Sequence, residues 1–220
     1  MRMWIALLVA ALFGIQAADA QERATLALPA INLGFLSRWI ADDEGFWKKQ
    51  GLGVSVQVIQ GVGSTNAVIA GSMDFAFASA TTITRATARG QKLLALSTQS
   101  EQSGEDILIR KSIAEAAHFD PNAPLNLRGK VLAGHSFAVG GVGSIPDVII
   151  KVVAQESGVP LTNVVTSPMA PDAAVAAFDR GAIDGFVSGP PFAQIALLHG
   201  TAVLVSDATK GEPKQYSPVS

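Results

Sequence analysis

Cysteine is absent from all 220 residues. That excludes disulfides, thiolate nucleophiles and thiolate metal sites. Charge is also scarce: 15% of residues are Asp, Glu, Lys or Arg, with a net charge of −2. So even a balance gives no reason to expect nucleic acid or an anionic membrane as partner. No segment after the N-terminus offers a membrane-length apolar run, so the mature chain is expected to be soluble. Catalytic signatures are missing too. There is no G-x-S-x-G, no paired acid and no His-rich metal spacing. His118, His135 and His199 lie in separate elements, and no metal or other cofactor is expected. The tetrapeptide GVGS occurs at 61–64 and again at 141–144. Neither copy has the Lys of a phosphate loop, and the third Gly of a dinucleotide fingerprint is replaced by Asn66 and Pro146.

What is present begins with a leader. Arg2 supplies a positive charge, Ile5 to Ile15 is almost wholly apolar, and Ala18-Asp19-Ala20 fits a small-x-small cleavage site. This reads as a secretory signal peptide over residues 1–20, with a periplasmic mature chain starting near Gln21.

Strand and helix patterns then alternate. Thr25 to Leu28 reads as a strand ending at Pro29. Leu36, Trp39, Ile40, Phe46 and Trp47 recur at helical spacing, interrupted by Gly45 and stopped by Gly51. Val54 to Ile59 alternates as a strand, Asn66 to Ala70 is a short helix, and Phe75 to Ala78 a buried strand. Thr82 to Arg89 is a helix ended by Gly90, and Leu93 to Ser97 a further strand. After a polar link at 99–106, Ile107 to Arg110 and Lys130 to Ala133 read as strands, and Gly134 to Ser144 as a Gly-rich loop. A helix from Pro146 to Ser157, a strand at Val164 to Thr166, a helix at Asp172 to Arg180, a strand at Gly185 to Val187, a helix at Pro191 to Leu198 and a strand at Thr201 to Val205 complete the series. Such alternation predicts an α/β fold with a parallel sheet.

The second series copies the first. GSMDFAFASATTITRATARG (71–90) aligns without gaps on GAIDGFVSGPPFAQIALLHG (181–200), an offset of 110, with Gly71/Gly181, Asp74/Asp184, Ala86/Ala196 and Gly90/Gly200 identical. The bland alternative is that any two α/β units look alike. Two such units make a cleft, and ligands of open parallel sheets sit beyond the carboxyl ends of the strands, against helix N-termini. Four loops rich in small polar residues fall there: 32–37, 61–65, 79–82 and 140–144.

ADDEGFWKKQGLGVSVQVIQG (41–61), AVIAGSMDFAFAS (67–79), NLRGKVLAGHSFAVGGVGSIPDVIIKVVAQESGV (126–159) and PDAAVAAFDRGAIDGFVSGPP (171–191) resemble the substrate-binding proteins of ABC importers for nitrate, sulfonates and taurine. The resemblance implies a type II two-lobed periplasmic-binding-protein fold, with lobe one over 21–100, lobe two over 101–198 and an incomplete return segment over 199–220. Relatives of this kind continue further after Val205 to complete lobe one. The implied function is capture of a small anionic solute by a monomer. It is then delivered to a permease and ATPase in the inner membrane, without chemistry on the ligand. A pyrimidine-precursor synthase or binder on the same fold is the alternative, although that enzyme uses a Cys-rich motif. A remnant without transport activity is another.

The expected ligand contacts are Ser79, Thr81 and Thr82 with Gly63 and Ser64 behind them, Asn32 and Ser37 after the first strand, and Gly143 and Ser144 before the helix at Pro146. Backbone N–H groups and hydroxyls at such positions suit an oxyanion. The resemblance adds Pro190, where many relatives place a covering aromatic. For each Ser or Thr the competing role is capping its own helix. Asp74 and Asp184 read as turn residues, and Trp39 and Trp47 as core.

Overall fold

The computed structural model describes residues 21–100 and 102–214. The expected leader lies outside them. Two sheets form, one from each half of the chain.

The first sheet holds β1 (Glu22–Leu28), β2 (Leu52–Val58) and β3 (Phe75–Ala76) in the order β2-β1-β3, all parallel. Between β1 and β2 run α1 (Leu36–Asp43) and α2 (Phe46–Lys49). Gly45 breaks them apart and Gly51 ends the second, both in the left-handed conformation that glycine adopts without a Cβ penalty. Helices α3 (Gly63–Ile69) and α4 (Ala80–Ala88) follow β2 and β3.

The second sheet has five strands: β4 (Asp106–Arg110), β5 (His135–Val139), β6 (Val164–Pro168), β7 (Gly185–Ser188) and β8 (Ala202–Ser206), ordered β6-β5-β7-β4-β8. Four helices lie between β4 and β7: α5 (Lys111–Ala116), α6 (Leu125–Arg128), α7 (Ile145–Glu156) and α8 (Pro171–Asp179). A fifth, α9 (Phe192–Leu198), joins β7 to β8. Successive strand residues serve opposite faces, as the period of two requires. Ile107 and Ile109 pack with Phe137, Val139, Ile149 and Ile150 on one face. Leu108 packs with Phe178, Phe186 and Ala196 on the other. With both faces covered, β4 reads as a continuous apolar run rather than an alternating one. Burying each large side chain of this kind contributes about 1.5–3 kcal/mol.

Several expectations differ from the structure. The buried strand expected at Phe75–Ala78 is confined to Phe75–Ala76, with Phe75 44% exposed. Strand β4 runs antiparallel to β7 and β8, so the second sheet is mixed. Lys130–Ala133 is a 3-10 turn at Gly129–Leu132 whose Leu132 plugs the core, and the strand starts after left-handed Gly134, at His135. Leu93–Ser97 forms no strand. Among the described residues it has no backbone partner to close a ladder, and Leu94 and Leu96 stay 83% and 69% exposed. The expected return segment at 199–220 places β8 in the second sheet. Its part up to residue 214 is held there by an ion pair between buried Arg128 and Glu212.

The repeat is real at the level of geometry. The order β2-β1-β3 recurs as β6-β5-β7. Gly71 and Gly181, and Gly90 and Gly200, all carry positive φ. Asp74 accepts hydrogen bonds from the Thr25 N–H (2.8 Å) and hydroxyl (2.7 Å). Asp184 accepts from the Ser136 N–H (2.8 Å) and hydroxyl (2.9 Å) in the same way. Both carboxylates therefore clamp the strand behind them.

Candidate functional site

A cavity of about 150 Å³ lies between the two lobes. The first turns of α3, α4, α7 and α8 line it, as does the end of β7. Helix starts carry unpaired N–H groups and a partial positive charge, so the cavity wall favours acceptor atoms.

Five of the expected residues meet there: Asn32, Ser64, Ser79, Thr82 and Ser144. Ser79 caps α4, accepting from the Thr82 N–H at 3.1 Å. Its hydroxyl also lies 2.9 Å from Thr81 Oγ1 and 2.8 Å from Thr82 Oγ1. One serine therefore caps α4 and lines the cavity. Ser64 is buried and donates to the carbonyls of Gly61 (3.0 Å) and Phe77 (3.1 Å). Ser144 occupies the N-cap position of α7, but its hydroxyl donates back to Gly141 O at 2.6 Å and leaves the helix N–H groups uncapped by it. Asn32 accepts from Gly34 N–H at 2.9 Å.

The other five lie outside the cavity lining. Ser37 hydrogen-bonds Gln99. Thr81 lies behind Ser79. Gly63 packs against Ile59, which a Cβ there would meet at 3.0 Å. Gly143 gives its N–H to Asp147 (2.7 Å) and its carbonyl to Arg85 (2.6 Å). Pro190 accepts from the Leu33 N–H at 3.0 Å, and so ties lobe two to lobe one behind the cleft.

The two GVGS copies turn out to face each other. A Cβ on Gly61 would meet Gly140 O and Gly141 Cα at 3.4 Å. A Cβ would just fit at that distance; what calls for glycine is the backbone, with φ +57° at Gly61 and +156° at Gly141. Together with the Arg85–Gly143 bond, this contact closes one rim of the cleft.

Three lining features were not picked out in the sequence. Thr65 is 3% exposed and its Oγ1 has no hydrogen-bond partner. Phe35 and Phe77 stack at 5.2 Å between centroids, tilted by 58°. Glu105 ends the polar link and lines the cleft beside Ser188. Burial pushes its carboxyl up to about 7; the neighbouring Asp106 charge adds to this and the Gly189 N–H opposes it. The signal for Thr65 was available in Gly63-Ser64-Thr65, where a second hydroxyl exceeds the needs of capping. Glu105 gave no signal, because an acid in a polar link reads as solvated.

The model of the NMT1-like family matches residues 19–213. No curated protein matches the chain. Among solved structures, one from Bordetella bronchiseptica RB50 superposes with a TM-score of 0.74 at 21% identity, covering 86% of this chain and 57% of that one. The periplasmic nitrate-binding protein NrtA from Synechocystis PCC 6803 gives 0.63 at 20%, covering 83% and 50%. The periplasmic aliphatic sulphonate binding protein SsuA from Escherichia coli gives 0.58 at 21%, covering 87% and 62%. The chain thus spans between half and about three fifths of those structures' length. Two repeat-related lobes around a cleft are the type II periplasmic-binding-protein fold, and the chain belongs to the NMT1-like family.

Proposed function

We propose that this chain is the extracytoplasmic solute-binding component of an ABC importer, taking up a small organic acid and passing it to a membrane permease without altering it. The observation that carries this reading is the interlobe cleft. Four helix starts and the Thr65 hydroxyl, which has no partner of its own, converge on it beside the internally bonded hydroxyls of Ser64, Ser79, Thr82 and Ser144, while apolar side chains such as Phe77, Val139 and Met169 form the walls. Convergent donors suit the several acceptor oxygens of a sulfonate, phosphonate, carboxylate or nitrate group. The names of the similar structures, a sulphonate-binding and a nitrate-binding protein, point the same way. Lobes of this kind close on ligand by hinge motion.

The test is isothermal titration of the mature protein with sulfonates, phosphonates, carboxylates and nitrate. At least one class is expected to bind with a one-to-one stoichiometry. Thr65→Val is expected to weaken it by about tenfold, the usual effect of deleting one ligand hydrogen bond. Silence across the panel from a cooperatively folding sample would overturn the reading.

A further inference from the structure

An oxyanion is the solute expected in this cleft, yet no cation waits for it. Among the described residues lining the cavity, Glu105 alone is ionisable, and none is Lys, Arg or His. The charged groups nearby are engaged outside it. Asp106, the next residue, accepts from the Ala208 N–H at 2.8 Å and from Gln194 at 3.4 Å. Asp207, whose charge acts on Asp106, pairs with Lys210 at 3.6 Å. On α7, Asp147 pairs with Lys151 at 2.7 Å, and on α4 Arg85 donates to Gly143 O at 2.6 Å. Asp172, in the first turn of α8, is exposed. An oxyanion and a carboxylate enclosed in about 150 Å³ would lie at close range. Two like charges so placed do not both persist; one proton between them removes the repulsion. The donors decide where that proton sits. The helix starts and the unpartnered Thr65 Oγ1 offer N–H and O–H to the solute, which keeps it in its charged form. Glu105 receives the Gly189 N–H, and its burial outweighs that bond.

We propose that Glu105 meets the solute as a neutral carboxylic acid and donates a hydrogen bond to its oxyanion, so that one proton is captured with each solute. Where Glu105 is ionised beforehand, that proton comes from solvent. With a monovalent solute the filled cleft then carries one negative charge instead of two. The carboxyl becomes a further donor in a ring of donors, and no cationic side chain is required. Burial already holds this carboxyl up to about 7 before solute enters, so near neutral pH the proton is loaded at little cost. A hydrogen bond from a neutral acid to a charged oxygen is among the stronger kinds. This inference rests on the solute-capture reading above and deepens it.

Propanesulfonate, nitrate and propionate stay ionised from about pH 6 to 9, so any pH dependence of their binding belongs to the protein. Each is titrated calorimetrically into the wild-type chain. For at least one, affinity is expected to fall by about tenfold per pH unit above about 7. In buffers of differing ionisation enthalpy, binding at about pH 8 should take up close to one proton per solute. Glu105→Gln keeps a neutral donor with no proton to lose. Its affinity is expected to stay level over this range and to exceed that of the wild type at the alkaline end, and its proton uptake should vanish. Should Glu105→Gln fail to fold, the infrared difference spectrum of the wild type at about pH 8 decides. Adding whichever of the three binds should raise one protonated-carboxyl band. Level wild-type affinity, affinity that rises with pH, absent proton uptake, a slope that survives in Glu105→Gln, or no new carboxyl band would each overturn the inference while leaving solute capture intact. Binding of none of the three would overturn the inference, and silence of the phosphonates as well would overturn both.

Discussion

The two lobes share a plan and differ in what surrounds it. In lobe two, β5, β6 and β7 are flanked by β4 and β8, and both faces of the sheet carry buried clusters. In lobe one the matching trio β1, β2 and β3 stands alone among the described residues. The position corresponding to β8 is Leu93–Ser97, and β8 is held only by β4. Among the described residues no counterpart of β4 lies beside Leu93–Ser97, and the same strand-forming pattern gives no strand. Burial follows suit: Ile107, Leu108 and Ile109 are fully enclosed, whereas Ile40, Phe46, Val58 and Phe75 stay 44–50% exposed. Strand propensity is realised only where a ladder partner and a covered face exist.

One aligned pair makes the difference sharp. Gly185 in lobe two corresponds to Phe75 in lobe one. Gly185 lies between β5 and β4, where an added Cβ would overlap Leu108 O and the Phe137 ring. Among the described residues Phe75 pairs with Leu26 alone, and with no strand on its other side it keeps a bulky ring. Gly185→Ala is expected to destabilise the chain by at least ~3 kcal/mol, through forced movement of backbone in a packed core. Phe75→Gly should cost only about 1–2 kcal/mol, from a partly exposed ring and a more flexible strand. Urea unfolding followed by near-ultraviolet circular dichroism measures both. Comparable losses at the two positions would mean that the lobes are packed alike after all.

Much of this plan was legible in the sequence, because it depends on local pattern. The matched glycines at 71/181 and 90/200 need positive φ, and Asp74 and Asp184 clamp equivalent strands; four identities in an otherwise diverged stretch carried that geometry. The antiparallel course of β4 was not legible, since Asp106–Arg110 has the same apolar run whichever way it pairs. His135–Val139 was hidden by its setting between left-handed Gly134 and the glycine loop. Within the site, hydroxyls before helices pointed to the cleft. Thr81 and Thr82 could not be told apart, because one residue of helical rotation decides which of them faces the cavity. Glu105 was invisible because the Gly189 turn that packs on it lies far away in sequence.

Titration should separate the cleft from the clamps. Glu105 rises from an ordinary carboxylate value to about 7, so its folded form holds the proton more tightly than the unfolded one. The associated stability is present at acid pH and is lost as pH climbs from about 4.5 to 7, up to about 3 kcal/mol and less in so far as water reaches the side chain. Burial raises Asp106 in the same direction. Asp184 behaves oppositely: desolvation works against it, but the Ser136 N–H and hydroxyl outweigh that and lower its pKa. Its contribution is present above the usual Asp value near 4 and disappears as pH falls below that. Stability is therefore expected to peak in mildly acidic solution. Glu105→Gln should flatten the decline toward pH 8 and leave the acid limb in place. Thermal unfolding between pH 3 and 8 tests this, and an unchanged decline in Glu105→Gln would contradict it.

The clamps themselves provide a within-molecule control. Asp184→Ala removes two acceptor bonds from a partly buried strand junction and is expected to cost about 1–2 kcal/mol. Asp74→Ala removes the same two bonds at an exposed junction and should cost less, since water replaces them there. Equal losses by urea denaturation would show that burial does not distinguish the two clamps.

The smallest effect is expected at the rim. Arg85 reaches from α4 to Gly143 O, and its guanidinium is solvent-exposed. An exposed hydrogen bond of this kind contributes under ~1 kcal/mol, so Arg85→Ala should leave stability nearly unchanged. It exists only when the lobes are together, so its loss should appear in the release of solute. Dissociation is expected to quicken by about two- to fivefold while association stays the same, because closure follows encounter. Stopped-flow release of a bound solute gives both rates. If association slows instead, Arg85 acts on the approaching solute rather than on the closed cleft.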